Sequence, residues 1–190
     1  QVCVNPFGVL YHPMVLARAL DLLAFPRPLP EDIFFEGNDG LWHSWWHAGA
    51  FSAPTRDKCI QLVETSLNKA REVLKKADLL ILTLSTDHGY FLKDDLQWGD
   101  LVANCHKMPS TMFEKKVCTL DQMVAMWESL LPYLKETFPQ LRILWTVSPY
   151  RYAQYGMHES QLSKARLLLL VDQLINSRVA NTSPEITEKV

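Results

Sequence analysis

The sequence predicts a three-layer α/β/α fold in which helices flank a mostly parallel sheet. Two continuous apolar runs of strand length, at 78–84 (DLLILTL) and 141–147 (LRILWTV), are typical of parallel strands that are covered on both faces. Segments with the apolar spacing of helices lie before and after each run, and this alternation builds a parallel sheet between helix layers. The predicted architecture is therefore a single α/β domain of the flavodoxin-like type.

The amino-terminal region is predicted to supply one strand end, one helix and one hairpin. Residues 2–4 (VCV) have the character of a strand end, and the turn-forming residues 5–8 (NPFG) follow them. Pro13 suits the first position of a helix that continues to residue 24, before three prolines force an extended connection. The Gly-Asn-Asp-Gly run at 37–40 is a turn signal between two short strand candidates.

Three further helices and a small hairpin are predicted in the rest of the chain. Thr55 is placed to cap a helix that runs to residue 76, with apolar residues at steps of three and four along one face. Segments 90–93 and 101–105 are predicted to pair as a hairpin. Thr119 and the Gln three residues later have the spacing of a capping box at the start of the next helix, and a last helix is predicted over 159–177.

Composition and charge exclude several classes of protein. The chain has 190 residues, is 48% hydrophobic and has a formal net charge of -2, with acidic and basic residues mixed along it. It therefore has enough apolar residues for a core, and it lacks the clustered Lys and Arg of a nucleic-acid-binding surface. No apolar run approaches the roughly 18 residues of a membrane span. Neither nucleic acid nor a membrane is therefore a predicted partner.

The cysteines indicate a redox environment rather than a metal site. Cys3, Cys59, Cys105 and Cys118 are widely spaced, and no C-x-x-C pair occurs, which excludes a zinc ribbon and a thioredoxin motif. In a chain of this size and apolar content, we interpret them as buried free thiols in a reducing compartment. The sequence therefore predicts a cytoplasmic location.

Several motifs, taken in order, resemble a known family. They are NPFGVLY at 5–11, GLWHSW at 40–45, VANCHKMP at 102–109, TVSP at 146–149 followed by Arg151, and Ser163-Lys164-Ala165. Their order and spacing resemble the GSCFA family, which belongs with the SGNH/GDSL hydrolases. The resemblance runs from about residue 2 to about residue 175, and the Asn-Cys-His-Lys run within the third motif is its most specific part.

The resemblance implies that this chain is a portion of a serine-dependent ester hydrolase. Members of the family open with a Gly-Ser-Cys-Phe-Ala signature, whose Ser is the expected nucleophile, and end with the Asp and His that would activate it. Neither block is found in this sequence. We therefore expect a partial domain over 1–177, incomplete at both ends, followed by a divergent and irregular tail over 178–190. We also expect little or no ester hydrolysis by this chain alone.

The resemblance and the predicted sheet together indicate where a substrate would bind. In open α/β sheets, ligands bind at the carboxyl ends of the strands. Gly8 lies where SGNH enzymes place a glycine whose N–H faces the oxyanion, and Thr86 lies in the loop after the second predicted strand. The predicted oxyanion-binding or substrate-binding residues are Gly8, Thr86, Asn104, His106, Lys107 and Arg151.

The chain departs from the family pattern at three positions near these loops. Ser85 replaces a glycine, Tyr152 replaces a histidine and Ser160 replaces an asparagine. These changes indicate a relaxed or altered function. The leading hypothesis is a portion of an esterase or acyl hydrolase that acts on a small-molecule or glycan ester. The alternative is a non-catalytic binding or scaffold module built on the same fold.

Other interpretations of the polar residues are less favoured or remain open. Asp87 and His88 have the chemistry of an orienting carboxylate and a base, but adjacent residues rarely form such a pair. The spacing of His43, His47 and His88 matches no metal motif, so we interpret them as structural and predict neither a metal nor another cofactor. Arg151 has two open roles, as a clamp for a carboxylate or phosphate and as an ion pair that fixes its own loop.

Overall fold

Four α-helices and seven β-strands are present in the computed structural model, which describes residues 2–93 and 101–179. The helices are α1 (Pro13–Ala24), α2 (Arg56–Leu74), α3 (Leu120–Thr137) and α4 (Gly156–Val179). The strands are β1 (Phe34–Glu36), β2 (Trp42–Ser44), β3 (Leu79–Leu84), β4 (His88–Leu92), β5 (Leu101–Val102), β6 (Phe113–Val117) and β7 (Arg142–Val147). This mixed arrangement confirms the predicted α/β class and is consistent with an α/β/α fold. Within the described ranges, no helix has both the length and the apolar character needed to cross a membrane.

A parallel pair of strands, β3 and β7, lies at the centre of the fold. Their register runs without a break from Leu79 opposite Arg142 to Leu84 opposite Val147. Backbone hydrogen bonds extend the pairing at both ends, and the later one joins the N–H of Ser148 to the carbonyl oxygen of Leu84 at 2.8 Å. The two apolar runs are thus confirmed as parallel strands, and their carboxyl ends meet at one edge.

The two faces of the parallel pair differ in exposure. On one face, Leu82 and Leu84 pack with apolar residues of α1, α3 and α4, and Trp145 meets Trp127 edge-on at 4.7 Å between ring centroids. On the other face, Ile81 is 58% exposed, and Leu79 and Leu144 are exposed as well. The expectation that β3 is covered on both faces was therefore wrong for this face. The reason is that α2 packs against α1 and the β1–β2 hairpin.

The remaining strands pair antiparallel. β1 and β2 form a hairpin around the predicted turn at 37–40. β4 lies between β5 and β6, which confirms the predicted pairing of the segments near 90 and 101 and adds a strand that the sequence did not predict. The predicted strand end at 2–4 was wrong, because Val2 and Val4 are exposed and this segment makes no strand pairing with a described residue.

The helix boundaries follow from side chains that cap the free backbone N–H groups of the first turn. Thr55 caps α2, and its hydroxyl oxygen accepts the N–H of Lys58 at 3.3 Å. At the start of α3, Thr119 accepts the N–H of Gln122 at 3.2 Å, and the Gln122 side chain accepts the N–H of Thr119 at 2.9 Å. This reciprocal pair confirms the predicted capping box. α4 begins earlier than predicted and continues to Val179, and the rest of the predicted tail at 178–190 lies outside the described residues.

We expect Thr119→Ala to lower the free energy of unfolding by about 1 kcal/mol, because it removes the hydroxyl oxygen that accepts the N–H of Gln122 in the first turn of α3. Urea denaturation measures this change. Thr65→Ala is the matched control, since Thr65 is an exposed Thr inside α2 whose hydroxyl only donates back to the carbonyl oxygen of Gln61. Equal effects of the two substitutions would contradict the capping assignment.

Candidate functional site

A buried carboxylate lies at the edge where β3 and β7 end. Asp87 is 0% exposed. Its Oδ1 accepts hydrogen bonds from Ser163 Oγ at 2.6 Å and from His88 Nδ1 at 2.8 Å, and its Oδ2 accepts one from Arg166 Nη1 at 2.6 Å. Arg166 also donates to Glu159 Oε1 at 2.9 Å. These five residues are called the Asp87 cluster below.

The hydrogen bonds keep Asp87 ionised in spite of its burial. Burial alone raises the pKa of a carboxyl group, but the bonds from Ser163, Arg166 and His88 outweigh it and hold the pKa of Asp87 below its usual value. The same contacts, to Asp87 and then to Glu159, raise the pKa of Arg166. The cluster therefore holds a charged carboxylate against a charged guanidinium.

His88 is oriented by Asp87 and keeps one ring nitrogen free. An ionised carboxylate only accepts hydrogen bonds, so His88 Nδ1 carries the proton of this contact. Its Nε2 makes no hydrogen bond with any described residue, and the Tyr155 ring stacks on the imidazole at 3.8 Å between centroids. Adjacent side chains meet here because the backbone bends at Asp87, just before β4 begins. Adjacency in the sequence therefore does not prevent this side-chain contact.

The Asp87 cluster also contains a set of possible metal ligands. Ligand atoms of Asp87, His88 and Glu159 lie within 4.8 Å of one another. However, Arg166 Nη1 already donates to both carboxylates of this set. A divalent cation would have to displace a guanidinium that balances the same charge, so the donor set does not fit a metal centre.

Side chains hold the loop between β3 and β4 next to the Asp87 cluster, and one of them, Lys164, belongs to a motif that carries the family resemblance. Thr86 Oγ1 accepts the N–H of His88 at 3.0 Å and lies 3.3 Å from the hydroxyl oxygen of Tyr155. Lys164 Nζ donates to the carbonyl oxygen of Ser85 at 2.5 Å. Among the predicted site residues, Thr86 is the one placed beside the Asp87 cluster, and its role in binding stays a prediction.

His12 fixes the start of α1 to the same loop. Its Nδ1 accepts the N–H of Met14 at 3.2 Å, so its Nε2 carries the proton that is donated to the carbonyl oxygen of Asp87 at 3.2 Å. Burial lowers the pKa of His12 from 6.5 to about 4, so the ring is neutral at pH 7. His12 could not be singled out from the sequence, because neither its capping role nor its partner is visible in a local pattern.

Four other predicted residues lie around the β1–β2 hairpin. The N–H of Gly8 donates to Asn5 at 2.8 Å, so it is engaged within its own turn. His106 Nε2 donates to the carbonyl oxygen of Ser44 at 2.8 Å, and its backbone N–H donates to Asn104 Oδ1 at 2.8 Å. Lys107 is exposed. In the described structure these polar groups mainly hold their own loops, and ligand binding by them stays a prediction.

Gly8 is required where it stands for steric reasons. Its φ is +86°, and a Cβ at this position would lie 2.2 Å from the Cβ of Ala48. His47, next to Ala48, stacks on Phe7 at 4.8 Å between ring centroids and is within electrostatic range of His106. Gly8 and His106 are therefore both close to the segment that contains His47 and Ala48. Arg151, in contrast, is exposed and forms no hydrogen bond or ion pair with a described residue.

In the region of the β1–β2 hairpin, a chain of contacts joins the hydroxyl of Ser52, the imidazole of His43 and the carboxylate of Asp39. His43 Nδ1 lies 2.6 Å from Ser52 Oγ, and His43 Nε2 lies 2.9 Å from Asp39 Oδ1. Asp39 also accepts the N–H of Leu41 at 3.1 Å, which closes the turn at 37–40. His43 is predicted from the sequence to be structural, and no sequence pattern pairs it with Ser52. The chain of contacts makes Ser52 the hydroxyl to test first for nucleophilic activity.

The four cysteines are free thiols. Burial raises the pKa of Cys105 and of Cys118 to about 11. A thiol with such a pKa is almost fully protonated at neutral pH, and the thiolate is the reactive form. Cys105, although it precedes His106, is therefore not an activated nucleophile.

We expect Asp87→Asn to lower the free energy of unfolding by roughly 3 kcal/mol at pH 7, because it leaves Arg166 without its main partner. The folded pKa of Asp87 is depressed, so its contribution is present above the ordinary value of 3.8 and is lost as the pH falls through the folded value. The difference in unfolding free energy between wild type and variant, measured by chemical denaturation, should therefore disappear below pH 4. Asp57→Asn, at an exposed position on α2, is the control; a constant gap at all pH values would contradict the assignment.

We expect His12 to make folding sensitive to pH between 6.5 and about 4. Its folded pKa is depressed, so its neutral form stabilises the fold above pH 6.5, and on the order of 3 kcal/mol is lost as the pH falls to 4. His12→Asn keeps a capping side chain but does not titrate, so its unfolding free energy should fall less over this range. His158→Asn, at an exposed position on α4, is the control and should keep the wild-type slope; an unchanged slope in His12→Asn would disprove the role.

Comparison with known proteins gives one match. The family model described as GSCFA family matches residues 1–183, a range that includes the Asp87 cluster and all six predicted site residues. No match was found among curated proteins or among solved structures. The chain therefore belongs to the GSCFA family.

Proposed function

We propose that this chain is a portion of an SGNH-type esterase or acyl hydrolase, and that alone it binds an acyl substrate without turning it over. Family membership supports the hydrolase class. The observation that carries the proposal is the Asp87–His88 pair, a base oriented by a buried carboxylate at the carboxyl edge of the parallel strands. In α/β folds this edge is the usual place for substrate.

The pair has the chemistry of a proton-transfer site. In serine hydrolases a His accepts the proton of the attacking hydroxyl while a carboxylate fixes its tautomer and orientation. Asp87 does the latter for His88, which leaves Nε2 to accept or donate a proton. No described hydroxyl bonds to this nitrogen, and the 190 residues contain no Gly-Ser-Cys-Phe-Ala run. Within the described part of the chain, the proposed base therefore lacks a bonded nucleophile.

A second candidate function is a non-catalytic binding module. It is favoured by the state of the predicted oxyanion donors, because the N–H of Gly8 donates to the carbonyl oxygen of Asn5 and the N–H of His106 donates to Asn104 Oδ1. Groups that satisfy one another inside a loop are less available to stabilise a transition state. The two candidates differ in which ligand they bind best.

The first test is the hydrolysis of p-nitrophenyl acetate by the chain. We expect a rate no higher than that of buffer, because the described base lacks a bonded hydroxyl. Ser52→Ala and Ser129→Ala are compared with the wild type, since Ser52 contacts an imidazole and Ser129 is exposed on α3. Clear turnover that Ser52→Ala abolishes and Ser129→Ala retains would overturn the proposal that the chain is inactive alone.

The second test separates a hydrolase portion from a binding module. Affinities for a methyl alkylphosphonate, which mimics the tetrahedral transition state, and for the matching methyl ester are measured by calorimetry. A hydrolase site should prefer the phosphonate by at least about tenfold, and His88→Gln should remove the preference. Equal binding of both ligands, or tighter binding of the ester, would instead support the binding module.

A further inference from the structure

A cavity of about 670 Å³ lies between α1 and α3. This volume is in the range of pockets that bind small molecules. Most of its lining is apolar and comes from Ala17, Phe25, Trp46, Met126 and Leu130. It shares no residue with the Asp87 cluster, so an inference about it does not depend on the proposed hydrolase function.

One charged side chain in this lining, that of Arg18, has no hydrogen-bonding partner. Arg18 is 7% exposed, and its Nη1 and Nη2 atoms are buried without a hydrogen bond. The guanidinium lies over the Trp46 ring, with 4.4 Å between its central carbon and the ring centroid. The ring face attracts the cation but accepts none of its terminal N–H groups in the way that a carboxylate does. Buried guanidinium groups are normally paired with an acid.

Among the described residues, the surroundings of Arg18 supply no compensating negative charge. The one acid among the described residues of the lining is Asp21, and it pairs with Arg27 at the rim. Two other ionisable groups interact electrostatically with Arg18, namely His12 and His47. Burial lowers their pKa values to about 4 and about 3, so both are neutral at pH 7. Burial also lowers the pKa of Arg18 to about 9, which leaves it charged at pH 7. The cavity therefore adjoins one unbalanced positive charge.

We propose that this cavity binds an apolar molecule that carries a single carboxylate. The carboxylate pairs with Nη1 and Nη2 of Arg18, and the apolar body lies between α1 and α3. A fork of two free nitrogens matches the two oxygens of a carboxylate. A single cation in an apolar lining suits a monoanion better than a phosphate, which needs more donors. Because the two nitrogens are shielded from solvent, binding turns the Arg18 side chain from the Trp46 ring toward the cavity.

The test compares octanoate with 1-octanol, which has the same apolar chain and no charge, by titration calorimetry of the 190-residue chain at pH 7. The wild type should bind octanoate at least about tenfold more tightly than octanol, the discrimination expected of one charge-assisted pair. Arg18→Met should remove this preference and keep octanol binding, since Met has similar length and no charge. Arg142→Met, at an exposed position on β7 outside the cavity lining, should leave the preference unchanged.

A second variant keeps the test decisive if Arg18→Met does not fold. Met126→Trp narrows the cavity from α3 and leaves Arg18 in place, so it should weaken the binding of both ligands. The proposal is overturned if the wild type binds octanoate no better than octanol, if folded Arg18→Met keeps the preference, or if Met126→Trp binds as the wild type does.

Discussion

The buried carboxylate of Asp87 is the constraint on which the rest of the structure depends. A bare carboxylate with no exposure would carry a large desolvation cost, so the fold must bring donors to it. Two of these donors, Ser163 and Arg166, come from α4, and this fixes α4 against the end of β3. The backbone carbonyl of Asp87 in turn accepts from His12 and from the N–H of Cys118. One residue thus ties together the starts of α1 and α3 and the first half of α4.

The elements that could be predicted from the sequence are those whose local pattern matches their final environment. β3 and β7 are apolar runs that pack one face against the core, and the Thr119 capping box needs only residues within one turn. β6 (FEKKV) was missed because only Phe113 is buried in it, and the strand exists through backbone pairing with β4 rather than through an apolar face. The exposure of one face of β3 could not be predicted either, because only tertiary packing decides that α2 packs against the β1–β2 hairpin and not against β3.

The site was harder to predict because its parts are far apart in sequence. Ser163 and Asp87 are separated by 76 residues, and no spacing rule links them. The Ser163-Lys164 pair was noticed as a motif, but its role is visible only in the fold, where the first residue donates to Asp87 and the second to the carbonyl oxygen of Ser85. The contact between Asp87 and His88 could not be predicted either, because it depends on the bend of the backbone at Asp87.

The three departures from the family pattern are in contact with one another. The Tyr152 hydroxyl donates to Ser85 Oγ at 3.3 Å, and Ser160 Oγ donates to the carbonyl oxygen of Tyr152 at 3.1 Å. A glycine at position 85 would offer no side-chain acceptor to Tyr152, so these two changes complement each other. The contact between Tyr152 and Ser85 therefore joins the segment after β7 to the loop after β3, whereas the bond from Ser160 reaches a backbone carbonyl that any residue at position 152 would offer.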